Sequence, residues 1–455
     1  QYYLDCLSQA SYLVGDETTG RVVVVDPRRD VGDYLADARA AGLTIVGVVN
    51  THFHADFVSG HLELAKATGA WIGYGAAASP EFEFRALADG ERISLGEVTL
   101  EIMATPGHTP ESISVLVFEH AGDHTAYGVL TGDALFIGDV GRPDLLASVG
   151  VSAEALGRML YDSVQRKLMG LPDEVRVFPA HGSGSACGKN LSTERQSTIG
   201  EQRRLNYACQ PMSEEDFVAV VTEGQPSAPG YFLFNATVNR QQRAVRELDV
   251  AIPALDSTQV AAALAAGAIV HDARDAMEFT AGHLVGAVSV PADGRMAETA
   301  GIVFTPEQQI VVMAPDGQEQ DVALRLARIG FDRTVGYIAD PTAYLLAHSD
   351  RVERASRLTV AQCEQAIADP SVQVVDIRNP GETAGGTMPG ARVIPLPELP
   401  RRLAELDPEA PVVLYCAGGW RSSVGASMLR AQGFADVSDL LGGYGAWEQA
   451  HPVSA

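Results

Sequence analysis

A chain of 455 residues, 46% of them hydrophobic, has room for two to four globular domains. Its formal charge of -25 excludes a nucleic-acid surface, which needs clustered Lys and Arg, and also argues against docking on anionic membranes. No apolar run approaches the roughly 20 residues of a spanning helix. No signal-peptide pattern opens the sequence, and a few residues are expected to precede Gln1. Five scattered cysteines make no disulfide framework, so a reducing cytoplasm is the expected location.

Residues 1–240 alternate short apolar runs with Gly-rich loops. Strands are predicted at 11–15, 21–26, 45–50, 99–104, 112–118 and 127–131, all rich in Val, Ile and Leu, with helical patterns at 31–41 and 60–68. His61, at the start of the second helical pattern, is expected to face solvent or cap the turn. Residues 241–253 read as a linker. Beyond it the sequence repeats. His271-Asp272-Ala273-Arg274 and Gly286-Ala287-Val288-Ser289-Val290-Pro291 return as Val375-Asp376-Ile377-Arg378 and Gly390-Ala391-Arg392-Val393-Ile394-Pro395. Two copies are too few for a solenoid. A tandem pair of α/β domains, 254–350 and 356–455, is the simpler reading.

Four separated segments carry metal-ligand chemistry: His52-Phe53-His54-Ala55-Asp56, Thr105-Pro106-Gly107-His108-Thr109, Thr131-Gly132-Asp133 and Pro179-Ala180-His181-Gly182. Each alone is a weak signal. Together, in this order and after strand-like runs, they resemble the metallo-β-lactamase superfamily. In its two-metal hydrolases a His normally stands where this chain has Phe57, which cannot ligate, so a single metal is expected. Two His and one carboxylate with open positions suit non-heme Fe(II).

Within the superfamily the segments look most like the persulfide dioxygenases. That resemblance implies one Fe(II) per chain held by His52, His108 and Asp133. His54, Asp56 and His181 would then orient ligands, water or substrate by hydrogen bonding. The loop Gly138–Leu145 extends the likeness, with Arg142 a candidate anchor for an anionic substrate or a partner of Asp144. The loop Gly182–Lys189 resembles that of dioxygenases fused to rhodanese domains, with Cys187 and Lys189 as candidate sulfur-handling and substrate-binding residues.

In the second repeat a buried-type strand, Val412-Val413-Leu414-Tyr415, ends in Cys416. Ala417-Gly418-Gly419-Trp420-Arg421 follow, and Ser422 lies in a helical run. Backbone N–H groups, a helix N-terminus and Arg421 would together stabilise a thiolate or persulfide anion. This copy resembles a rhodanese, a sulfurtransferase, and Cys416 and Arg421 are its candidate catalytic residues. The first copy resembles one too, but reads Ala314-Pro315-Asp316-Gly317-Gln318-Glu319-Gln320 at the cradle. It has no nucleophile there and is expected to be catalytically silent.

The resemblances together imply an α/β multi-domain chain: an N-terminal αββα sandwich followed by two rhodanese-like domains with parallel sheets. They imply oxidation of a low-molecular-weight persulfide by O2 to sulfite plus thiol. Sulfur transfer through Cys416 would give thiosulfate if sulfite is the acceptor, and the implied role is sulfide detoxification. Glutathione, coenzyme A or another thiol is the carrier, and a homo-oligomer is expected. The alternative is a glyoxalase II-like thiolester hydrolase fused to sulfurtransferase domains.

Overall fold

The strand Arg21–Val25 explains the layering of the N-terminal part. Its side chains alternate between faces, yet Val22, Val23, Val24 and Val25 are all fully buried in the computed structural model, which describes residues 1–145, 150–247 and 251–452. Val22 and Val24 pack with Tyr34, Ala38 and Leu64, from the helices Gly32–Ala40 and His61–Thr68. Val23 and Val25 face Leu100, Ile102, Ile113 and Val115 of a second sheet. The far side of that sheet, through Leu116, Val129 and Val177, is covered by Leu160 and Phe217 of two more helices. A sheet buried on both faces needs a helix layer outside and a sheet inside. The result is an αββα sandwich of two mixed six-stranded sheets.

The strands Thr44–Val49, Thr99–Ala104, Gly128–Gly132 and Arg176–Pro179 are followed directly by the loops that carry the metal-ligand segments. Gly128–Gly132 runs parallel to Arg176–Pro179, which brings the Asp133 and His181 loops side by side.

The described chain divides into two compact units. One comprises Gln1–Ala228 and Phe232–Glu247, and the other holds Pro229–Tyr231 and the C-terminal part. Of the expected linker, Arg243 is ion-paired to Glu63 at 2.6 Å, Tyr337 donates its N–H to the Pro253 carbonyl, and residues 248–250 lie outside the described residues. The C-terminal unit shows the repeat directly. Each copy is a five-stranded parallel sheet with the same strand order. In the first copy it runs Ala254–Leu255, Thr334–Ile338, Ile310–Met313, Ile269–Asp272, Val288–Ser289. In the second it runs Ser356–Leu358, Val437–Leu440, Val412–Tyr415, Gln373–Asp376, Arg392–Val393. The repeated Asp-x-Arg forms the same buried ion pair in both, Asp272–Arg274 and Asp376–Arg378, each at 2.6 Å.

His61 corrects one expectation. It is fully buried, with its ring 4.9 Å from that of Phe82 and 5.9 Å from that of Tyr74. The first turn of its helix points inward, so Leu62, Glu63 and Leu64 are buried with it. Among the described residues no helix is long and apolar enough to cross a membrane.

Candidate metal centre and sulfur cradle

The turn after Thr44–Val49 is fastened by groups far away in sequence. Asp26, in a left-handed conformation (φ +52°), accepts the Thr51 N–H at 2.7 Å and the Thr51 hydroxyl at 2.9 Å. Asn239 donates to the carbonyls of His54 and Phe57, both at 2.8 Å, and Glu111 accepts the Phe53 N–H at 2.9 Å. Sequence reading missed all three. Asp26 ended a predicted strand, and only its position beneath the turn reveals what it does.

These anchors set the imidazole tautomers. The Thr51 hydroxyl donates to Asp26, so its oxygen, 3.0 Å from His52 Nδ1, accepts the proton there. His108 Nδ1 donates to the Arg142 carbonyl at 2.9 Å, and His181 Nδ1 to that of Ser8 at 3.2 Å. In the neutral tautomer that these bonds select, each ring presents Nε2 as a lone pair. His108 Nε2 lies 3.5 Å and His52 Nε2 3.9 Å from Asp133 Oδ2. Burial, then the neighbouring histidines, push His52 well below its usual range, so it is neutral and ready to ligate.

His52, His108 and Asp133 have one ligand atom each within 4.8 Å of one another, and all three are buried. Neither Asp133 oxygen has a hydrogen-bond partner among the described residues. A buried carboxylate left unpaired is costly, and a cation bound here removes that cost. The residues fit a single metal in a two-His, one-carboxylate set.

A second group lies beside it. Asp56, His181 and Cys187 also place ligand atoms within 4.8 Å, and His181 Nε2 sits 3.4 Å from Asp56 and 3.6 Å from Asp133. Burial, then Asp56 and Asp133, push the Cys187 thiol well up. His54 is not part of this group: its Nε2 bonds Asp26 at 2.8 Å, its Nδ1 has no hydrogen-bond partner among the described residues, and its ring is 4.4 Å from that of Phe57. The Arg142 guanidinium binds Asp144 through two contacts, at 2.6 and 2.7 Å, and also the carbonyls of Ala186 and Pro226. Arg142 thus acts on the site through its backbone carbonyl. The Lys189 ammonium is held by the carbonyls of Val220 and Glu223.

Gly141 is where this centre tolerates no side chain. A Cβ there would meet the Asp133 carbonyl oxygen at 2.0 Å and His108 Nδ1 at 3.1 Å. Gly141→Ala is expected to displace both residues and weaken metal binding by roughly the 10–100-fold seen when outer-shell support is lost. Metal titration of the folded variant checks this, and wild-type affinity would contradict the geometry.

In the C-terminal unit Cys416 ends the buried strand Val412–Tyr415 and is 1% exposed. Gly419, at φ +91°, curls the chain so that its N–H donates to Cys416 Sγ at 3.1 Å, and the helix Trp420–Ala431 starts there. Ser422 Oγ is 3.6 Å from the sulfur. Arg421 is oriented by two bonds to Glu382, at 2.8 and 2.5 Å. The Cys416 carbonyl accepts the Tyr444 N–H at 2.7 Å and that of Ala417 accepts Gly445 at 3.0 Å, while Gly418 stays open. In the first copy Ala314 occupies the Cys position and is buried. Gln320 is drawn off to the Ile252 backbone, with bonds at 2.9 and 3.0 Å.

Residues 4–181 match the metallo-beta-lactamase superfamily, and residues 359–450 match the rhodanese-like domain. Over 215 residues the chain is 30% identical to the mitochondrial persulfide dioxygenase ETHE1 of Bos taurus, covering 46% of this chain and 75% of that protein. It is 34% identical over 173 residues to a hydroxyacylglutathione hydrolase of Rhodospirillum rubrum, covering 37% and 60%. Among solved structures, a metallo-beta-lactamase from Staphylococcus aureus subsp. aureus COL aligns with a TM-score of 0.67 at 31% identity. The alignment covers 74% of this chain and 97% of that one.

Proposed function

Because the chain belongs to the metallo-β-lactamase superfamily and joins that domain to a C-terminal rhodanese-like domain, we propose that it is a persulfide dioxygenase with sulfurtransferase activity. Its substrate is a low-molecular-weight persulfide, its products are the thiol and sulfite, and its role is sulfide removal. The observation that carries this reading is the buried set His52, His108 and Asp133, whose carboxylate oxygens have no hydrogen-bond partner among the described residues. Fe(II) bound there, one per chain, would supply the redox chemistry by which dioxygen oxidises a sulfur. The protein's part is to hold His52 and His108 in fixed tautomers beside the Asp133 carboxylate and exclude bulk water. Asp56 and His181, beside Asp133, orient water or substrate by hydrogen bonding. Oxidation consumes one persulfide, one O2 and one water, and releases thiol, hydrogen sulfite and a proton.

Cys416 handles the second sulfur. Its thiolate attacks the outer sulfur of a persulfide, that S–S bond breaks, and the thiol leaves. Sulfite then attacks the outer sulfur now on Cys416, giving thiosulfate and restoring the thiolate. The first copy, with Ala314 at the nucleophile position, carries no sulfur.

The Asp56–His181–Cys187 group favours one rival, a two-metal thiolester hydrolase. One experiment separates the two. Anaerobically Fe(II)-loaded protein is given glutathione persulfide or coenzyme A persulfide in an oxygen electrode, and S-lactoylglutathione in a parallel hydrolysis assay. Iron-dependent oxygen uptake with one metal per chain is expected. Thiolester hydrolysis with two metals and no uptake would favour the hydrolase.

A further inference from the structure

Cys416 lies on the floor of a cavity of about 460 Å³. A sulfite or thiosulfate ion, with four or five heavy atoms, would fill a small part of it, since cavities of roughly 300–1,000 Å³ hold far larger molecules. One wall, with Leu396, Pro397, Trp420 and Arg421, belongs to the cradle copy. The facing wall is Asp293, Arg295, Glu298 and Ile302, all from the copy that lacks a nucleophile.

The facing wall is fixed in place. Asp293 accepts the Trp420 indole N–H at 3.0 Å, which ties it to the cradle loop itself. Beneath it, the Ser289 N–H donates to Ser427 Oγ at 2.9 Å, with both residues fully buried. The helix Trp420–Ala431 thus rests on the strand Val288–Ser289 of the other copy.

Its charge is mixed. Arg295 pairs with Glu298, and Asp293 lines the same cavity. With Arg421 across the cavity, the lining offers both cations and carboxylates around an apolar shelf. An inorganic oxyanion matches only the cations. A thiol bearing several phosphates would meet the carboxylates of Asp293 and Glu298. A small organic thiol with separate carboxylate and ammonium groups matches both signs.

We infer that the nucleophile-free copy supplies the specificity wall of the Cys416 site, and that Arg295 and Glu298 select a zwitterionic low-molecular-weight persulfide as the sulfur donor. The inference rests on the sulfurtransferase reading of Cys416 and adds to it a role for the first copy. Removing both members of the ion pair takes away one charge of each sign together, so Arg295→Ala with Glu298→Ala is the first variant. Arg295→Glu with Glu298→Arg keeps a pair and inverts its polarity, and serves if the first fails to fold.

The probe is S-methylglutathione, a zwitterion that cannot transfer sulfur, titrated calorimetrically into the full chain. Binding to the wild type that weakens about tenfold or more in either double variant is expected. The ratio of kcat/KM for glutathione persulfide to that for thiosulfate, both at Cys416, should fall by a similar factor. Unchanged probe affinity, or an equal loss for both donors, would overturn the inference. Tighter binding of coenzyme A than of S-methylglutathione, weakened by the same double variants, would overturn it too. If the probe binds as expected but the wild-type chain transfers sulfur from neither donor, the wall stands and the sulfurtransferase reading falls.

Discussion

His108→Ala is expected to abolish oxygen uptake on a supplied persulfide while sulfur transfer through Cys416 continues. His108 is 1% exposed and locked by its Nδ1 bond to the Arg142 carbonyl, with Nε2 3.5 Å from Asp133. Removing it takes away one of three donors and leaves the Asp133 carboxylate less compensated. Loss of an outer-shell partner alone costs about 10–100-fold in metal affinity or activity, and loss of a ligand exceeds that. Iron content after anaerobic loading and the oxygen electrode are the two readouts. Thiosulfate-dependent transfer through Cys416 reports that the C-terminal unit remains folded. A variant that keeps full iron and wild-type uptake would remove His108 from the ligand set and reopen the choice among His54, His181 and Asp56.

The layered fold was readable where burial is two-sided. The Val run of Arg21–Val25 and the apolar runs at Thr99–Ala104 and Ile113–Phe118 announce strands in any context. Strands as short as Arg85–Leu87, Arg92–Ser94 and Ser197–Thr198 show no period and exist because neighbours pair with them. The repeat was readable because its landmarks are rigid: the Asp-x-Arg ion pair recurs at the end of the corresponding strand in each sheet, Ile269–Asp272 and Gln373–Asp376. The metal-ligand residues were readable as residue types, but their anchors were not. Asp26, Asn239 and Glu111 act across 25 or more positions of chain, through contacts that only folding brings about. His61 misled for a related reason. A polar residue at a helix start reads as solvent-facing unless the direction of the first turn is known. Cys187 was legible as a candidate from its Gly-rich loop, two residues before Lys189, but its grouping with Asp56 and His181 appears only on folding.

Cys416→Ser should have the opposite effect, with sulfur transfer lost and oxygen uptake on a supplied persulfide kept. The hydroxyl is close in size to the thiol, and the Gly419 N–H at 3.1 Å can still find an acceptor, so the cradle between Val412–Tyr415 and Trp420–Ala431 is expected to hold its shape. The chemistry fails for a different reason. Near neutral pH a hydroxyl stays protonated, and an oxygen cannot carry the sulfane sulfur that a thiolate carries. Mass spectrometry of the wild type after exposure to a persulfide should show one added sulfur on Cys416, and the variant none. The product separates the two centres most sharply. Given excess persulfide and oxygen, the intact chain is expected to accumulate thiosulfate, because sulfite made at one centre is consumed at the other. The variant is expected to stop at sulfite. A folded Cys416→Ser protein that loses oxygen uptake as well would show that the centres do not work independently and would sink the two-site scheme. Thiosulfate formed at the wild-type rate would mean that sulfite captures persulfide without the cradle, which leaves Cys416 serving some other acceptor.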